Sequence, residues 1–260
     1  MPPDPAGEID VTRPSPARLY DYLLGGTDNY AVDRQTAEHV LTHTPEARRS
    51  AVENRRFLVR VVEHLCAQGI WQFLDLGSGL PTAENTHQVA RRAEQGARVV
   101  YVDRDPSVLA HARALLGAQD RTTYVHADIT DVDAVIGGAG ALLDFTQPVA
   151  VLAVAVLHFL PDDAEPAALM RRYTGHLAPG SPVAMTAAST TGLDSRVLEL
   201  AREASDRFRF PLYMRSREEL EGMFGDATLA EPGLVPVQDW PAPAEAEPLT
   251  VPIFGGVAVV

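Results

Sequence analysis

The 260-residue sequence contains no lysine and only one cysteine, and each scarcity excludes some chemistry. A phosphate-binding loop of the G-x-x-x-x-G-K-[ST] type requires a lysine, so none can form here. Cys66 has no second cysteine for an internal disulfide and no neighbouring ligands in the sequence. We interpret it as a half-buried helix residue. Its isolation favours a reducing compartment, and we expect a cytoplasmic protein.

Positive charge is scarce as well. The 22 basic residues are all arginine, and they are outnumbered by 35 acidic ones, which gives a net charge of −13. A nucleic-acid partner requires a basic face, so none is predicted. The longest apolar stretch, residues 149–160, is too short to span a bilayer, and the acidic, proline-rich N-terminus is unlike a signal peptide. We therefore expect no membrane association.

Metal binding is not predicted either. His39 and His43 are four residues apart, but the H-E-x-x-H context and further ligands are missing. No G-x-S-x-G nucleophile elbow is present.

Alternating strands and helices dominate the sequence from residue 54 onward. Periodicity predicts an amphipathic helix over residues 54–68 and, after it, an α/β alternation typical of a parallel sheet with helices on both faces. Two final strands without a helix between them predict an antiparallel hairpin at one edge of a seven-stranded sheet. The predicted strands span 71–76, 98–103, 122–128, part of 148–160, 181–189, 228–238 and 251–259.

We predict three segments along the chain. Residues 1–14 read as a disordered leader, residues 15–53 as an N-terminal helical lid, and residues 54–260 as the main domain. The lid would contain two short helices separated by Gly25 and Gly26.

The most informative motif follows the first predicted strand. Asp75 ends that strand, and Gly77-Ser78-Gly79 comes next, where backbone can approach a ligand at the carboxyl edge of a sheet. A dinucleotide fingerprint needs a third glycine, but Thr82 occupies that position, so a pyrophosphate is not indicated. The motif alone is weak evidence, and the alternative interpretation of Asp75 is a turn-forming residue.

Two further aspartates end the next two predicted strands. Asp103 is well placed to accept both hydroxyls of a ribose, since Asp105 is the better cap for the following helix. Asp128 could accept from an adenine amino group while Ile129 packs on the ring, although a strand-ending turn would also explain it. Three carboxylates at successive strand ends support a binding site more strongly than any one of them alone.

With these motifs in view, the chain resembles a bacterial family of S-adenosylmethionine-dependent methyltransferases, formerly a domain of unknown function and common in high-GC bacteria. The resemblance runs from about residue 15 onward and is most specific in the YDYLLGGTDNYAVDR block. It is carried by YDYLLGGTDNYAVDR (20–34), NRRFL (54–58), QGIWQFLDLGSGLPT (68–82), VVYVDRDPSVLAHARALL (99–116), HADITD (126–131), LDFTQPVAVLAVAVLHFLPD (143–162), EPGLVPV (231–237) and FGGVA (254–258).

The resemblance implies a Rossmann-like class I fold with S-adenosyl-L-methionine as cofactor. The N-terminal block could fold over that cofactor as a lid, because aromatic faces and oxygen atoms suit a sulfonium; a packed helical cap is the compatible alternative. The predicted cofactor-binding residues are Asp75, Gly77, Ser78, Gly79, Pro81, Asp103, Arg104, Asp128, Ile129, Tyr22, Gly26, Asn29 and Tyr30.

His158, after the fourth predicted strand, is the candidate general base, with a buried structural histidine as the alternative. The acceptor would be a small molecule, such as a specialised metabolite, bound near Phe208, Phe210, Tyr213 and Met214. Two other functions stay open: a cofactor-binding protein without methyl transfer, and an enzyme that uses the cofactor for cyclisation or elimination. Oligomeric state is not readable from the sequence.

Overall fold

A computed structural model describes residues 9–82, 84–116, 121–208, 212–242 and 247–260. Its strands are β1 (Gln72–Leu76), β2 (Arg98–Asp103), β3 (Thr122–His126), β4 (Ala150–Val154), β5 (Pro182–Ala188), β6 (Thr228–Leu229), β7 (Val235–Pro236) and β8 (Ile253–Val259). The helices are α1 (Pro16–Leu23), α2 (Ala31–His43), α3 (Ala47–Ala67), α4 (Thr86–Ala93), α5 (Pro106–Leu116), α6 (Val132–Ala139), α7 (Pro166–Thr174), α8 (Ser195–Phe208) and α9 (Arg217–Gly222).

The described strands form one mixed sheet in the order β3-β2-β1-β4-β5-β8-β6, with β7 also paired to β8. Strands β1 to β5 are parallel to one another, whereas β8 runs antiparallel to β5, β6 and β7. The predicted fold class, a Rossmann-like sheet with an antiparallel C-terminal hairpin, is therefore confirmed. The strand order reverses between β1 and β4, which is where such sheets bind ligands.

Apolar side chains of the sheet point to two separate cores, one on each face. Leu74 and Leu76 of β1 belong to the core that α6, α7 and α9 cover. Phe73, which directly precedes Leu74 in the strand, belongs to the other core, together with α3 and α4. The alternation follows from the two-residue period of a strand. The sheet thus has helices on both of its faces, as the sequence predicted.

Several predicted boundaries differ from the structure. Helix α3 begins at Ala47, so the predicted division between lid and main domain at residues 53 and 54 falls inside one continuous helix. The polar residues of its first two turns hid this start. Helix α6 is capped by Asp131 and runs through Gly137 and Gly138 to Ala139, with Val132 and Val135 buried.

The C-terminal prediction counted one strand too few. Residues 228–238 hold two short strands, β6 and β7, that pair with opposite ends of β8 across a turn at Gly233. The described sheet therefore has eight strands rather than seven. Ser216 and Glu219 form a capping box at the start of α9. Within the described residues, no helix has the length and apolarity needed to cross a membrane.

Candidate active site

A cavity of about 580 Å³ lies at the carboxyl ends of the parallel strands. Its floor includes the residues that follow β1, β2, β3 and β4, and its other walls come from residues 10–23, from α3 and from the start of β8. Eight predicted cofactor-binding residues line it, together with His158. They are Asp75, Gly77, Ser78, Gly79, Asp103, Arg104, Asp128 and Ile129.

The turn after β1 owes its shape to two glycines with positive φ. Gly77 has φ +66° and Gly79 has φ +65°, a conformation that residues with a Cβ seldom adopt. A Cβ at Gly77 would lie 2.3 Å from Cγ2 of Val156, so this glycine lets the turn pack against the segment after β4. A Cβ at Gly79 would meet nothing within 4 Å. Gly79 therefore leaves open space on the cavity side.

Asp103 joins the turn after β1 to the end of β2. Its carboxylate accepts hydrogen bonds from the backbone amides of Gly79 at 2.8 Å and Asp105 at 3.0 Å. Burial raises the pKa of Asp103, while these amides act in the opposite direction. Asp105 accepts from the Ser107 amide at 2.8 Å, the contact of a helix cap. A carboxylate has about four acceptor positions, so Asp103 can hold the loop and still accept from a ligand.

Asp75 is buried at the end of β1. Its Oδ2 accepts a hydrogen bond of 2.7 Å from the Thr86 hydroxyl of α4. Burial raises the pKa of Asp75 to about 6, and the Thr86 hydrogen bond and the positive charge of Arg55 only partly oppose this. A cationic ligand group nearby would favour the ionised form.

Asp128 forms a more exposed rim of the cavity after β3. One oxygen accepts from the amide and hydroxyl of Thr130, and the other pairs with Arg104 at 2.7 Å. Burial raises the pKa of Asp128, but these hydrogen bonds outweigh it and bring the pKa below its usual value. The adjacent Ile129 is buried and also lines the cavity. An apolar side chain and an acceptor thus lie side by side.

The remaining predicted cofactor-binding residues lie away from this cavity. Gly26 and Asn29 pack on Asp21 of α1, whose carboxylate accepts from the Asn29 side chain at 2.8 Å. A Cβ at Gly26 would lie only 2.0 Å from that carboxylate, which explains the second glycine of the block. Pro81 is absent from the lining as described.

Tyr22 and Tyr30 also serve the lid's own structure. The Tyr22 hydroxyl donates to Glu38 on the exposed side of α2. The Tyr30 amide donates to the Asp33 carboxylate at 2.8 Å as part of the cap of α2. Most of the residues that make the Y-D-Y-L-L-G-G-x-D-N-Y block recognisable therefore build the hairpin between α1 and α2.

Other residues of the N-terminal region line the cavity instead. Arg18 is buried and pairs with the fully buried Asp33 at 2.8 Å, and its guanidinium also donates to the Asp10 and Arg13 carbonyls. The Ser15 hydroxyl donates to Asp105 beside β2. These contacts fix residues 10–18 over the strand ends. Residues 9–14 were predicted to belong to a disordered leader. The structure instead gives them a defined position, and Asp10, Arg13 and Pro14 line the cavity.

A chain of buried hydrogen bonds connects the lid to the end of β4. The Tyr20 hydroxyl donates to the Ala51 carbonyl and accepts from the Asn54 amide at 2.9 Å. Asn54 accepts from the Thr186 hydroxyl at 2.6 Å, and Thr186 accepts from the Ala155 amide at 2.9 Å. Sequence reasoning missed this chain, because each bonded pair is separated by 31 or more positions in the sequence.

Ala155 has a positive φ of 56°, which is uncommon for a residue with a side chain. It lies directly after β4 and lines the cavity with Val156 and His158. Strained backbone of this kind concentrates at functional sites. The hydrogen bond from its amide to Thr186 helps to hold the conformation.

His158 is buried in a short 3-10 turn after β4. Its Nδ1 accepts a hydrogen bond of 3.2 Å from the Ala188 amide, so the proton of the neutral ring is on Nε2. Burial lowers the pKa of His158 to about 4, with a further contribution from the charge of Arg215. Nδ1 is thus engaged and Nε2 carries a hydrogen, so this geometry favours a hydrogen-bond donor over the general base that the sequence suggested.

The buried Arg215 holds this turn in position. Its guanidinium donates to the Leu157 and Leu160 carbonyls on either side of His158. Tyr213 and Met214, which were predicted to lie near the acceptor, are not among the described residues that line the cavity. Their neighbour Leu212 lines it. Phe210 and the side chain of Phe208 lie outside the described residues.

Comparison with known proteins assigns this architecture. A family model for S-adenosyl methyltransferases matches residues 3–260. The chain belongs to this family. A crystal structure of a candidate methyltransferase from Thermobifida fusca is 39% identical, with a TM-score of 0.90 and coverage of 100% of this chain and 98% of that one. A DUF574 family protein from Streptomyces avermitilis is 33% identical, with a TM-score of 0.91 and coverage of 97% and 99%.

No curated protein matches the chain significantly. The family match nevertheless makes the protein an S-adenosylmethionine-dependent methyltransferase and confirms both the predicted family and the predicted cofactor. The cavity of this methyltransferase suits that molecule: it combines an open glycine turn, buried carboxylates beside it, and a buried isoleucine. These groups match a ligand with a cationic centre, vicinal hydroxyls and a flat base.

Proposed function

We propose that this methyltransferase transfers the methyl group of S-adenosylmethionine to a small-molecule acceptor, a specialised metabolite, in the cytoplasm. The supporting observation is that the same cavity is lined by the turn after β1, by residues of the N-terminal lid and by His158 after β4. Cofactor and acceptor can therefore meet without a further binding surface. The net charge of −13 argues against a nucleic-acid substrate.

The cofactor half of the cavity is proposed to lie along the ends of β1, β2 and β3. Asp103 would accept from the ribose hydroxyls while it keeps the Gly79 amide in place. Ile129 would pack on the adenine, and Asp128 would accept from its amino group. Gly77, Ser78 and Gly79 would let the backbone approach the ligand, and Arg104 would contribute at the rim through its ion pair with Asp128.

The acceptor half is proposed to lie between the lid and the segment after β4. Its described wall is mainly apolar there and includes Leu19, Leu58, Phe159, Leu212 and Ile253. The polar groups of Tyr20 and Asn54 are engaged in the buried hydrogen-bond chain. This wall would admit a compact and largely apolar molecule and exclude water from it.

S-adenosylmethionine supplies an already activated methyl group when bound, so the protein has to align the acceptor rather than activate the donor. We propose that the Nε2–H of His158 donates a hydrogen bond to an oxygen or nitrogen of the acceptor. That contact would orient the acceptor towards the cofactor. The Ala188 amide keeps the ring in the required tautomer.

Calorimetry with S-adenosylmethionine and S-adenosylhomocysteine tests the cofactor assignment, and binding is expected well below 1 mM. Incubation with a panel of phenols, amines and carboxylic acids, followed by mass spectrometry, tests the reaction. A methylated acceptor with stoichiometric S-adenosylhomocysteine supports the proposal. Methylthioadenosine would instead indicate elimination or cyclisation chemistry, and cofactor binding without any product over a broad panel would favour a binding protein.

A further inference from the structure

The ring of His158 presents a hydrogen-bond donor to the cavity. Its Nδ1 accepts from the Ala188 amide of β5 at 3.2 Å, so Nε2 carries the hydrogen and is the polar atom that the ring can offer to the cavity. Among the residues that the structure describes, none accepts a hydrogen bond from Nε2. A buried donor without an acceptor costs free energy, so this N–H favours a ligand atom that accepts.

Neighbouring groups hold this ring in place and keep it neutral. The ring of Phe159 lies edge to face with it, with 4.3 Å between the ring centroids. Burial and, to a smaller extent, the positive charge of Arg215 lower the pKa of His158 to about 4, although Arg215 is itself paired with Asp162 at 2.7 Å. Protonation of Nδ1 would also break its hydrogen bond with the Ala188 amide. His158 is therefore suited to donate from Nε2 and not to take a proton from an acceptor.

Two hydroxyl groups of the proposed acceptor half are engaged with the backbone. The Tyr20 hydroxyl donates to the Ala51 carbonyl at 3.0 Å, and the Ser50 hydroxyl donates to the Val251 carbonyl at 2.9 Å. Burial raises the pKa of Tyr20, so the phenol keeps its proton at neutral pH. Neither hydroxyl is placed to deprotonate an acceptor.

The carboxylates of the described wall lie elsewhere. Asp10, in the N-terminal segment, accepts from the amide and hydroxyl of Thr12. The others lie at or just after the ends of β1, β2 and β3, on the proposed cofactor side, and are Asp75, Asp103, Asp105 and Asp128. The described part of the acceptor half thus offers a fixed donor and an apolar wall, but no base placed to deprotonate a neutral nucleophile.

A nucleophile that is already ionised at neutral pH needs no such base. We propose that the acceptor of this methyltransferase is an apolar carboxylic acid, bound as its carboxylate, and that the product is the methyl ester. One carboxylate oxygen accepts from the Nε2–H of His158, and the other attacks the methyl carbon. The new C–O bond forms as the C–S bond breaks, the electron pair of that bond goes to sulfur, and no proton moves. This inference rests on the proposed function and names the class of its substrate.

The apolar wall suits a reaction of this charge type. A carboxylate and a sulfonium combine to give a neutral ester and a neutral thioether, so both charges diminish on the way to the transition state. Opposite charges attract more strongly at low dielectric than in water. Leu58, Phe159 and Ile253 exclude water from this half of the cavity, and the hydrogen bond from His158 offsets part of the cost of desolvating the carboxylate.

The experiment compares three ligands that share one carbon skeleton: hydrocinnamic acid, the corresponding alcohol and the corresponding amine. Calorimetry at neutral pH measures each with the protein saturated with S-adenosylhomocysteine. His158→Phe removes the donor, whereas His158→Gln keeps an N–H. His176→Phe is the matched control, because His176 is exposed and follows α7 outside the cavity lining. Circular dichroism and thermal unfolding verify that each variant is folded.

The wild type is expected to bind the acid about tenfold more tightly than the alcohol or the amine, the difference between a charge-assisted and a neutral hydrogen bond. His158→Phe should reduce this preference to less than about threefold, His158→Gln should retain part of it, and His176→Phe should retain all of it. Equal binding of the three ligands, tighter binding of the alcohol or amine, or an unchanged preference in His158→Phe would overturn the inference. If His158→Phe does not fold, the preference of the wild type and its reduction in His158→Gln decide.

Product analysis provides the second readout. A panel of apolar acids, alcohols and amines is incubated with S-adenosylmethionine and analysed by mass spectrometry. A methyl ester is expected, formed at a rate that stays constant between about pH 7 and 9, because the acid is ionised throughout this range. Methylation of an alcohol or an amine, or a rate that rises with pH, would overturn the inference.

Failure of the proposed function gives different results. A wild type that does not bind S-adenosylhomocysteine would contradict the cofactor site. A preference for the acid without any methylated product would contradict methyl transfer while supporting the carboxylate subsite at His158.

Discussion

The two glycines of the turn after β1 offer a matched pair of substitutions. Gly77 and Gly79 have nearly identical φ values, +66° and +65°, so alanine carries the same left-handed strain at both, about 1–2 kcal/mol. They differ in surroundings. The new Cβ at Gly77 would lie 2.3 Å from Cγ2 and 2.8 Å from Cβ of Val156, whereas that at Gly79 would meet nothing.

The overlap at Gly77 adds the cost of overpacking, about 1–3 kcal/mol. We therefore expect Gly77→Ala to lower the free energy of unfolding by about 2–5 kcal/mol and Gly79→Ala by about 1–2 kcal/mol. Urea denaturation at 25 °C measures both. Because Val156→Ala removes Cγ2 but keeps Cβ, it should restore part of the loss in Gly77→Ala and none in Gly79→Ala.

Ligand affinity separates the two glycines in the opposite order. A methyl group on Gly79 would project into open space at the cavity, so Gly79→Ala should weaken S-adenosylhomocysteine although it is the more stable variant. Equal destabilisation by the two substitutions would refute the steric argument. Unchanged affinity in Gly79→Ala would remove the turn from the proposed cofactor site.

Four further predictions concern the carboxylates and His158. Asp103→Ala should weaken S-adenosylhomocysteine by about 1–3 kcal/mol in calorimetry, while Asp144→Ala, an exposed turn residue, should not. Ligand affinity should fall as the pH drops through about 6, because protonation of Asp75 removes a negative charge from the wall of the proposed site for a cationic cofactor; an Asp75→Asn variant should lack this dependence. His158→Asn should reduce turnover about three- to tenfold without moving the pH profile between 5 and 9, since a ring with a pKa of about 4 is neutral throughout. Asp33→Asn should cost about 3–5 kcal/mol in urea unfolding, because it leaves the buried partner of its ion pair uncompensated; a smaller loss would mean that water reaches this pair.

The pH dependence of stability follows from the same histidine. The pKa of His158 is about 4 in the folded protein against 6.5 for an ordinary histidine, so the unfolded chain binds the proton more readily between these values. The stability associated with the neutral ring is therefore lost as the pH falls from about 6.5 to 4. Urea denaturation across this range measures the free energy of unfolding of the wild type and of His158→Asn. The advantage of the wild type over the variant should shrink as the pH falls.

The sheet and the cofactor side of the cavity were predictable because they depend on local patterns. Buried strands, glycine turns and strand-ending aspartates recur in order along the chain, and parallel strands bring their ends to one edge. The sequence alone is thus enough to group Asp75, Asp103 and Asp128. Their roles in ligand binding remain predictions.

The lid was harder to predict, because its most recognisable residues serve local structure. Gly26 and Asn29 are needed by the buried Asp21 carboxylate, a contact that no spacing rule reveals. The cavity wall is instead formed by residues such as Tyr20, whose partners Ala51 and Asn54 are more than thirty positions away in the sequence. The same holds for His158: its tautomer depends on an amide thirty residues away.

The position of β8 between β5 and the pair β6–β7 affects how the protein can be handled. Residues 253–259 form an interior strand of the sheet and hydrogen-bond to neighbouring strands on both sides. Removal of the C-terminal residues from Ile253 onward would leave β5 with an open, apolar edge. Such an edge is a template for intermolecular strand pairing. Shortened forms of this enzyme should therefore precipitate or swap strands rather than survive as smaller soluble cores.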